Sequence, residues 1–270
     1  MTTTRIMCIG PGRLIEAAAS LSFDYNLTIK PDLTYIITPY PKSIIERTFK
    51  EFDLEIDDYQ ILDDLYLSKH YDLGRWWQDN WYKQQALKLC AMDHFDSDYF
   101  LIQDCDAILL KPYAMLIDGD LNLKVENTWN DQHTLYADMI EKITGLKRGI
   151  NYSLVNELMP YAKKDWLDLK QLLEERNGCN FLDAIANAGP FDGTKWFSEY
   201  ELLGIYKTNQ PSGWRHFVTP AQPIISTWED CYSTDWEKHH AIKFHVPPLK
   251  FMNDFEAIQL VNFFKNDTDN

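Results

Sequence analysis

The sequence predicts an α/β domain with a mainly parallel sheet flanked by helices. Apolar runs of strand length alternate with helix-length segments in the N-terminal part of the chain, a pattern typical of parallel sheets. With 270 residues and 45% hydrophobic content, the chain is long enough to bury one large core. We therefore expect a single domain over residues 1–265 and a polar tail at 266–270. Ligands of such sheets bind beyond the carboxyl ends of the strands.

The order of the elements follows from the apolar runs and from the Gly and Pro residues that end them. Strands are predicted at residues 5–9, 33–38, 59–67, 99–103 and 243–246. Helices are predicted at residues 14–21, 43–52, 76–92, 134–144, 166–176 and 195–206. Because the elements after residue 112 are mainly helices, we expect a helical insertion in the C-terminal half.

The charge and the cysteine content argue against nucleic-acid and membrane partners and against zinc and disulfide sites. A formal net charge of −15 disfavours nucleic acid and anionic membranes as partners, because both need clustered Lys and Arg. The five cysteines are widely spaced and form no C-x-x-C pair, so neither a zinc site nor a disulfide framework is expected. The sequence contains no apolar run of membrane-spanning length and no signal-peptide pattern, which predicts a cytoplasmic location without a transmembrane segment.

One D-x-D tripeptide, Asp104-Cys105-Asp106, stands between two apolar runs. It directly follows the strand predicted at 99–103, so both carboxylates are placed at a strand end. Carboxylates at positions i and i+2 are hard oxygen ligands for a divalent cation, and such a cation can bind a diphosphate. Three other copies follow no strand-like run: Asp96/Asp98, Asp118/Asp120 and Asp267/Asp269. The sequence therefore favours Asp104 and Asp106 as the metal ligands.

The helix before this strand carries a polar stripe on a largely apolar surface. Gln84, Gln85 and Lys88 lie on one side of the helix at 100° per residue. Such a stripe faces either water or a cleft. If it faces a cleft, Lys88 can supply positive charge to a phosphate.

A second group of polar residues begins at Ser198. Ser198 and Glu201 match a capping box, which gives Glu201 a structural role. Glu199 and Glu201 lie about 200° apart on a helix and cannot both face one site. Each is either a general base or an acid that interacts favourably with the helix dipole, and the capping role of Glu201 makes Glu199 the preferred base.

Two further motifs lie at the ends of predicted strands. His245 ends the strand predicted at 243–246 and precedes Lys250, and together they can supply a third metal ligand and a phosphate contact. Gly10-Pro11-Gly12 fails the dinucleotide-binding pattern G-x-G-x-x-G, because position 15 is Ile15.

Taken together, these segments resemble GT-A-type glycosyltransferases, most closely a bacterial and viral branch of them. The resemblance rests on the helix Trp81-Tyr82-Lys83-Gln84-Gln85-Ala86-Leu87-Lys88-Leu89, on the strand with its D-x-D pair, and on the segment F-S-E-Y-E-L-L-G-I-Y at 197–206. It covers approximately residues 30–250. It implies a GT-A-like, Rossmann-like fold.

The resemblance also implies a nucleotide-diphosphate-sugar donor bound through Mn²⁺ or Mg²⁺, and a glycan or other hydroxyl acceptor. It makes Asp106 the principal metal ligand, Asp104 a ligand of the metal or the ribose, and His245 a candidate third ligand. Glu199 or Glu201 would deprotonate the acceptor if the reaction inverts configuration. The residues assigned to the donor are Thr38, Pro39, Tyr40, Gln85, Lys88, Asp104 and Lys250.

Two other interpretations of the sequence stay open. A haloacid-dehalogenase-type phosphatase also places D-x-D after an apolar strand, with the first Asp as nucleophile. That family has Thr or Val where this chain has Ile108, and it carries the motif on its first strand. A non-catalytic carbohydrate-binding protein would instead use the nine tryptophans and fifteen tyrosines as platforms for sugar rings.

Overall fold

The computed structural model describes residues 1–127, 130–155, 158–220, 224–225 and 241–244. Within these ranges the strands are β1 Thr3–Cys8, β2 Leu33–Thr38, β3 Gln60–Asp63, β4 Tyr99–Asp104, β5 Ala107–Leu109, β6 Leu116–Ile117, β7 Asp120–Glu126, β8 Leu158–Ala162, β9 Trp214–Thr219, β10 Ile224–Ile225 and β11 Ala241–Phe244. The helices are α1 Leu14–Ser22, α2 Lys42–Lys50, α3 Asn80–His94, α4 Asp131–Thr144, α5 Lys163–Asn177, α6 Phe181–Ala186 and α7 Glu199–Thr208.

The central sheet has five strands in the order β3-β2-β1-β4-β8. The first four are parallel, and β8 pairs with β4 in the antiparallel direction. Strand β2 pairs with one edge of β1, and β3 pairs with the far edge of β2. Strand β4 pairs with the other edge of β1. The strand order therefore reverses between β1 and β4. The predicted α/β class with a mainly parallel sheet is confirmed.

Helices cover both faces of this sheet, because alternate residues of a strand point to opposite sides. On one side, Met7 of β1 joins a core with Ala17 of α1 and Phe49 of α2. On the other side, Ile6 packs in the same core as Leu89 of α3. Strands buried on both faces are nearly continuous apolar runs, which is why β1 and β4 were visible in the sequence.

Two predicted elements are shorter than the sequence suggested. The helix predicted at 76–92 is divided at Asp79, which has an extended backbone and accepts a hydrogen bond from the amide of Trp81 at 2.7 Å. Asp is a strong N-cap, so α3 begins only after it. The strand predicted at 59–67 ends at Asp63, whose carboxylate accepts from the amide of Leu65 at 2.7 Å and turns the chain.

The chain after β4 contains the predicted helices but also strands that were not predicted. Helices α4, α5 and α7 match the predicted segments, whereas α6 and strands β5 to β10 were missed. β7 pairs with β6 and β9 in a second sheet, and β8 completes the central one. The late strand is β11, at 241–244, and the tail predicted at 266–270 lies outside the described residues. In the described part of the chain, no helix is both long enough and apolar enough to cross a bilayer.

Candidate functional site

A cleft of about 440 Å³ opens at the carboxyl edge of the parallel strands. It lies beside the point where the strand order reverses, and Cys8 and Asp104 are register partners at the ends of β1 and β4. Open α/β sheets bind ligands in this crevice, because the loops that leave the two strands turn apart there. The volume is within the range of small-molecule and nucleotide sites.

The cleft is lined by strand ends with the loops after them, by residues of α3, and by Lys195. The residues contributed by strand ends and the loops after them are Cys8, Ile9, Gly10, Pro11, Arg13, Ile37, Pro39, Asp64, Asp104, Cys105 and Asp106. The other lining residues are Asn80, Trp81, Lys83, Gln84, Leu87 and Lys195.

The structure brings the two carboxylates of the favoured D-x-D tripeptide into this cleft. The side chains of Asp104 and Asp106 are 17% and 11% exposed, whereas Cys105 between them is buried. The copies at 96/98 and 118/120 do not line the cleft. The copy at 267/269 lies outside the described residues. Strand context therefore distinguished the copy at the cleft from the other two copies that can be located.

Three cationic side chains also line the cleft, and sequence reasoning missed all of them. Arg13 Nη1 lies 3.1 Å from Glu16 Oε1 and 3.9 Å from Asp106 Oδ2. Lys83 forms an ion pair with Asp64. Lys195 Nζ lies 4.3 Å from the ring centroid of Trp81. Only Arg13 had a visible signal, because it follows a Gly-Pro-Gly turn at the end of a predicted strand.

Lys88 does not line the cleft but lies fully buried behind it. Its ammonium donates to Asp104 Oδ1, to Glu199 Oε1 at 2.7 Å and to the hydroxyl of Tyr200 at 3.2 Å. The hydroxyl of Tyr200 in turn donates to Asp104 Oδ1 at 2.9 Å. The residues of the predicted polar stripe therefore have different surroundings. Gln84 lines the cleft, whereas Lys88 lies in a buried ionic cluster. A direct phosphate contact by Lys88 is not supported.

Glu199 is also fully buried, and its exposure is 0%. Burial raises the pKa of its carboxyl, and the attraction of Lys88 opposes that shift. Burial alone would lower the pKa of Lys88, but the carboxylates of Asp104 and Glu199 raise it above its usual value, so Lys88 is charged. Glu199 does not line the cleft and has no exposed surface through which it could contact a substrate there. The predicted role of Glu199 as a general base is therefore not supported by its position.

Glu201 points away from Glu199, as the helical geometry required. Its Oε1 accepts from the amide of Leu154 at 3.1 Å and from Arg148 Nη2 at 3.5 Å, and it does not line the cleft. The capping box is half formed, because Ser198 accepts from the amide of Glu201 while the Glu201 carboxylate bonds elsewhere. Burial raises the pKa of Glu201 to about 7. A catalytic role for Glu201 is not supported either.

The raised pKa of Glu201 predicts a pH-dependent stability. The usual pKa is 4.5, so the folded state binds this proton more tightly than the unfolded chain. The stabilisation is fully present below about pH 4.5 and is lost as the pH rises through about 7, a change of about 3 kcal/mol. We expect Glu201→Gln to gain stability relative to the wild type by about this amount between acidic pH and pH 8. Urea unfolding across this range measures the difference, with exposed Glu46→Gln as control. Parallel pH profiles for the wild type and Glu201→Gln would contradict it.

Of the other residues predicted to bind the sugar donor, some line the cleft and some are hydrogen-bonded away from it. Pro39 lines the cleft, whereas Thr38 is buried and its hydroxyl accepts from the amide of Tyr40 at 3.3 Å. The hydroxyl of Tyr40 accepts from the amide of Gly12 at 2.5 Å, which ties the loops after β2 and β1 together. Gln85 is buried, and its side-chain oxygen accepts from the amide of Glu199 at 3.0 Å. Thr38, Tyr40 and Gln85 therefore do not line the cleft but form hydrogen bonds next to it.

The residues of the cleft fit a divalent cation that shares its coordination with a ligand. His245 and Lys250, the candidate third ligand and phosphate contact, lie outside the described residues. Among the described residues, no group of three His, Cys, Asp or Glu side chains is placed to bind a metal. Mg²⁺ commonly binds to one or two carboxylates and takes its other ligands from water and substrate phosphates. The carboxylates of Asp104 and Asp106 are ligands of that type, and both residues line the cleft.

The sequence of the chain matches the model of a known protein family. Residues 26–241 match DUF6492, a family of unknown function. The chain belongs to this family. The match includes α3, the D-x-D strand and α7, so most elements around the cleft lie within the DUF6492 region. No curated protein matches the chain.

Proposed function

We propose that this protein is a metal-dependent glycosyltransferase that moves a sugar from a nucleotide-diphosphate donor to a hydroxyl acceptor such as a glycan. One observation carries the proposal. Asp104 and Asp106 share a cleft with Arg13, Lys83 and Lys195, at the carboxyl edge of a parallel sheet where its strand order reverses. A site that contains both carboxylates for a cation and cations for phosphate oxygens suits a metal–diphosphate group.

The chemistry is divided between the metal and the residues of the chain. A divalent cation, when bound, neutralises negative charge on the leaving diphosphate. Asp106 and Asp104 would bind that cation from the end of β4. Arg13 and Lys83 also line the cleft and would neutralise the remaining phosphate charge. Because both Glu199 and Glu201 are buried off the cleft, the proposal assigns neither as a base that contacts the acceptor.

Calorimetric titration of the full chain with UDP, with and without Mn²⁺, tests the nucleotide-diphosphate site. We expect binding that requires the metal, because diphosphate and carboxylates repel each other without it. GDP, ADP and CDP serve as comparison ligands. A panel of nucleotide sugars should then show metal-dependent hydrolysis of at least one donor. Metal-independent binding, or no binding of any of these nucleotides, would overturn the proposal.

The same protein preparation also tests the phosphatase and the carbohydrate-binding interpretations. A phosphatase would release phosphate from an aryl phosphate and lose this activity in Asp104→Asn. Against that class, the D-x-D pair follows β4, the fourth strand of the chain, and not the first. A carbohydrate-binding protein would bind sugars with no dependence on a nucleotide. A cytoplasmic location is part of the proposal and can be checked by fractionation of cells that express the full chain.

A further inference from the structure

Three segments that are far apart in the sequence meet in one buried cluster behind the cleft. Lys88 comes from α3, Asp104 from the end of β4, and Glu199 and Tyr200 from the first turn of α7. Gln85 fixes the start of α7, because its side-chain oxygen accepts from the amide of Glu199. The cluster therefore connects the D-x-D strand to α3 and α7.

Within the cluster, Asp104 is the member that reaches the cleft. Its Oδ1 accepts from both Lys88 and Tyr200, and the Tyr200 ring lies 4.6 Å from Lys88 Nζ. The terminal torsion of an aspartate is broad, so an isolated carboxylate samples many orientations. Two donors on the same oxygen restrict that rotation. Partners of this kind behind a metal ligand orient it and raise the affinity of the site.

The charges of the described residues in the cluster are arranged around Lys88. One ammonium lies against two carboxylates, those of Asp104 and Glu199, and Glu199 Oε2 has no hydrogen-bond partner among the described residues. Glu199 therefore orients and anchors Lys88, which bonds Asp104 at its other side. Tyr200→Phe removes one of the two donors to Asp104 Oδ1 and leaves all of these charges in place.

We infer that Lys88 and Tyr200 are positioning residues that fix the carboxylate of Asp104 for a divalent cation in the cleft. This inference rests on the proposed function, since it assigns to Asp104 a metal that the proposal requires. Lys88 then does not bind phosphate, although Asp104, which it contacts, lines the cleft. Its ammonium acts through Asp104.

The test compares Tyr200→Phe with Tyr206→Phe, a matched change on the same helix. UDP affinity of the full-length variants is measured across a series of Mn²⁺ concentrations. We expect Tyr200→Phe to need about 10-fold more Mn²⁺ for the same UDP affinity. Saturating Mn²⁺ should restore the wild-type affinity, because the nucleotide contacts are unchanged. Tyr206→Phe should follow the wild-type curve. A merely structural hydroxyl would lower the melting temperature without shifting the Mn²⁺ dependence.

The possible outcomes separate the inference from the proposed function. If the wild type binds UDP only with Mn²⁺ and Tyr200→Phe needs no more metal, the inference alone fails. It also fails if Tyr200→Phe weakens UDP binding by an amount that excess Mn²⁺ does not reverse. If the wild type shows no metal-dependent nucleotide binding, both fail together.

A second variant decides the question if Tyr200→Phe does not fold. Lys88→Met/Glu199→Gln removes one positive and one negative charge, so the net charge of the cluster is unchanged while the donor to Asp104 is lost. We expect a similar shift of about 10-fold in the Mn²⁺ requirement. A double variant with the wild-type Mn²⁺ dependence would overturn the inference.

Discussion

Asp106→Asn is expected to abolish metal-dependent turnover of a nucleotide sugar. The substitution preserves shape but removes the charge of the carboxylate that lies in the cleft at the end of β4. A cation at such a site contributes several kcal/mol of charge stabilisation, so we expect a loss of about 1,000-fold in kcat/KM. The measurement is donor hydrolysis or transfer at saturating Mn²⁺, with the melting temperature recorded for the same preparations.

The control for this change is Asp96→Asn, which alters an exposed aspartate of another D-x-D copy. It has the same change of charge but lies outside the cleft, so its kcat/KM should stay within about two-fold of wild type. If Asp106→Asn retains both turnover and its Mn²⁺ requirement, Asp106 does not bind the metal. If both variants lose activity equally, the effect comes from overall charge and not from the site.

The sequence predicts those parts of the site that depend on local order along the chain. The D-x-D pair was identified because an apolar run precedes it, and burial of β4 on both faces is the physical cause of that run. The strand β2 was predicted with its observed bounds, since Pro39 ends it. Strand β7 had a visible signal as well, because Leu121, Leu123 and Val125 alternate with polar residues, but it was missed.

Pairings between distant segments were not predictable from one sequence. The helical pattern placed Lys88 on a polar stripe, yet it could not show that the partners on that side are Glu199 and Tyr200. For the same reason, two glutamates in the first turn of α7 were interpreted as candidate bases. Both are buried against cations from other elements, Lys88 for Glu199 and Arg148 for Glu201. Contacts between distant segments therefore determine the surroundings of each of these side chains.

Lys88→Met should be the most destabilising of the changes considered. The ammonium is fully buried between the carboxylates of Asp104 and Glu199, so its removal leaves two acids with no cation between them. Breaking a buried ion pair from one side typically costs about 3–5 kcal/mol, and we expect a loss of that size in the free energy of unfolding. Urea unfolding at neutral pH measures it. Lys42→Met, at an exposed ion pair with Asp57, should change stability by less than about 0.5 kcal/mol.

The double variant Lys88→Met/Glu199→Gln separates the loss of packing from the loss of charge. Met fills much of the volume of the lysine stem, and Gln removes the carboxylate that would otherwise be left without its cation. We therefore expect the double variant to recover at least about half of the stability lost by Lys88→Met, since an uncompensated buried charge is the main cost. If the two changes are additive, Lys88 and Glu199 do not stabilise each other.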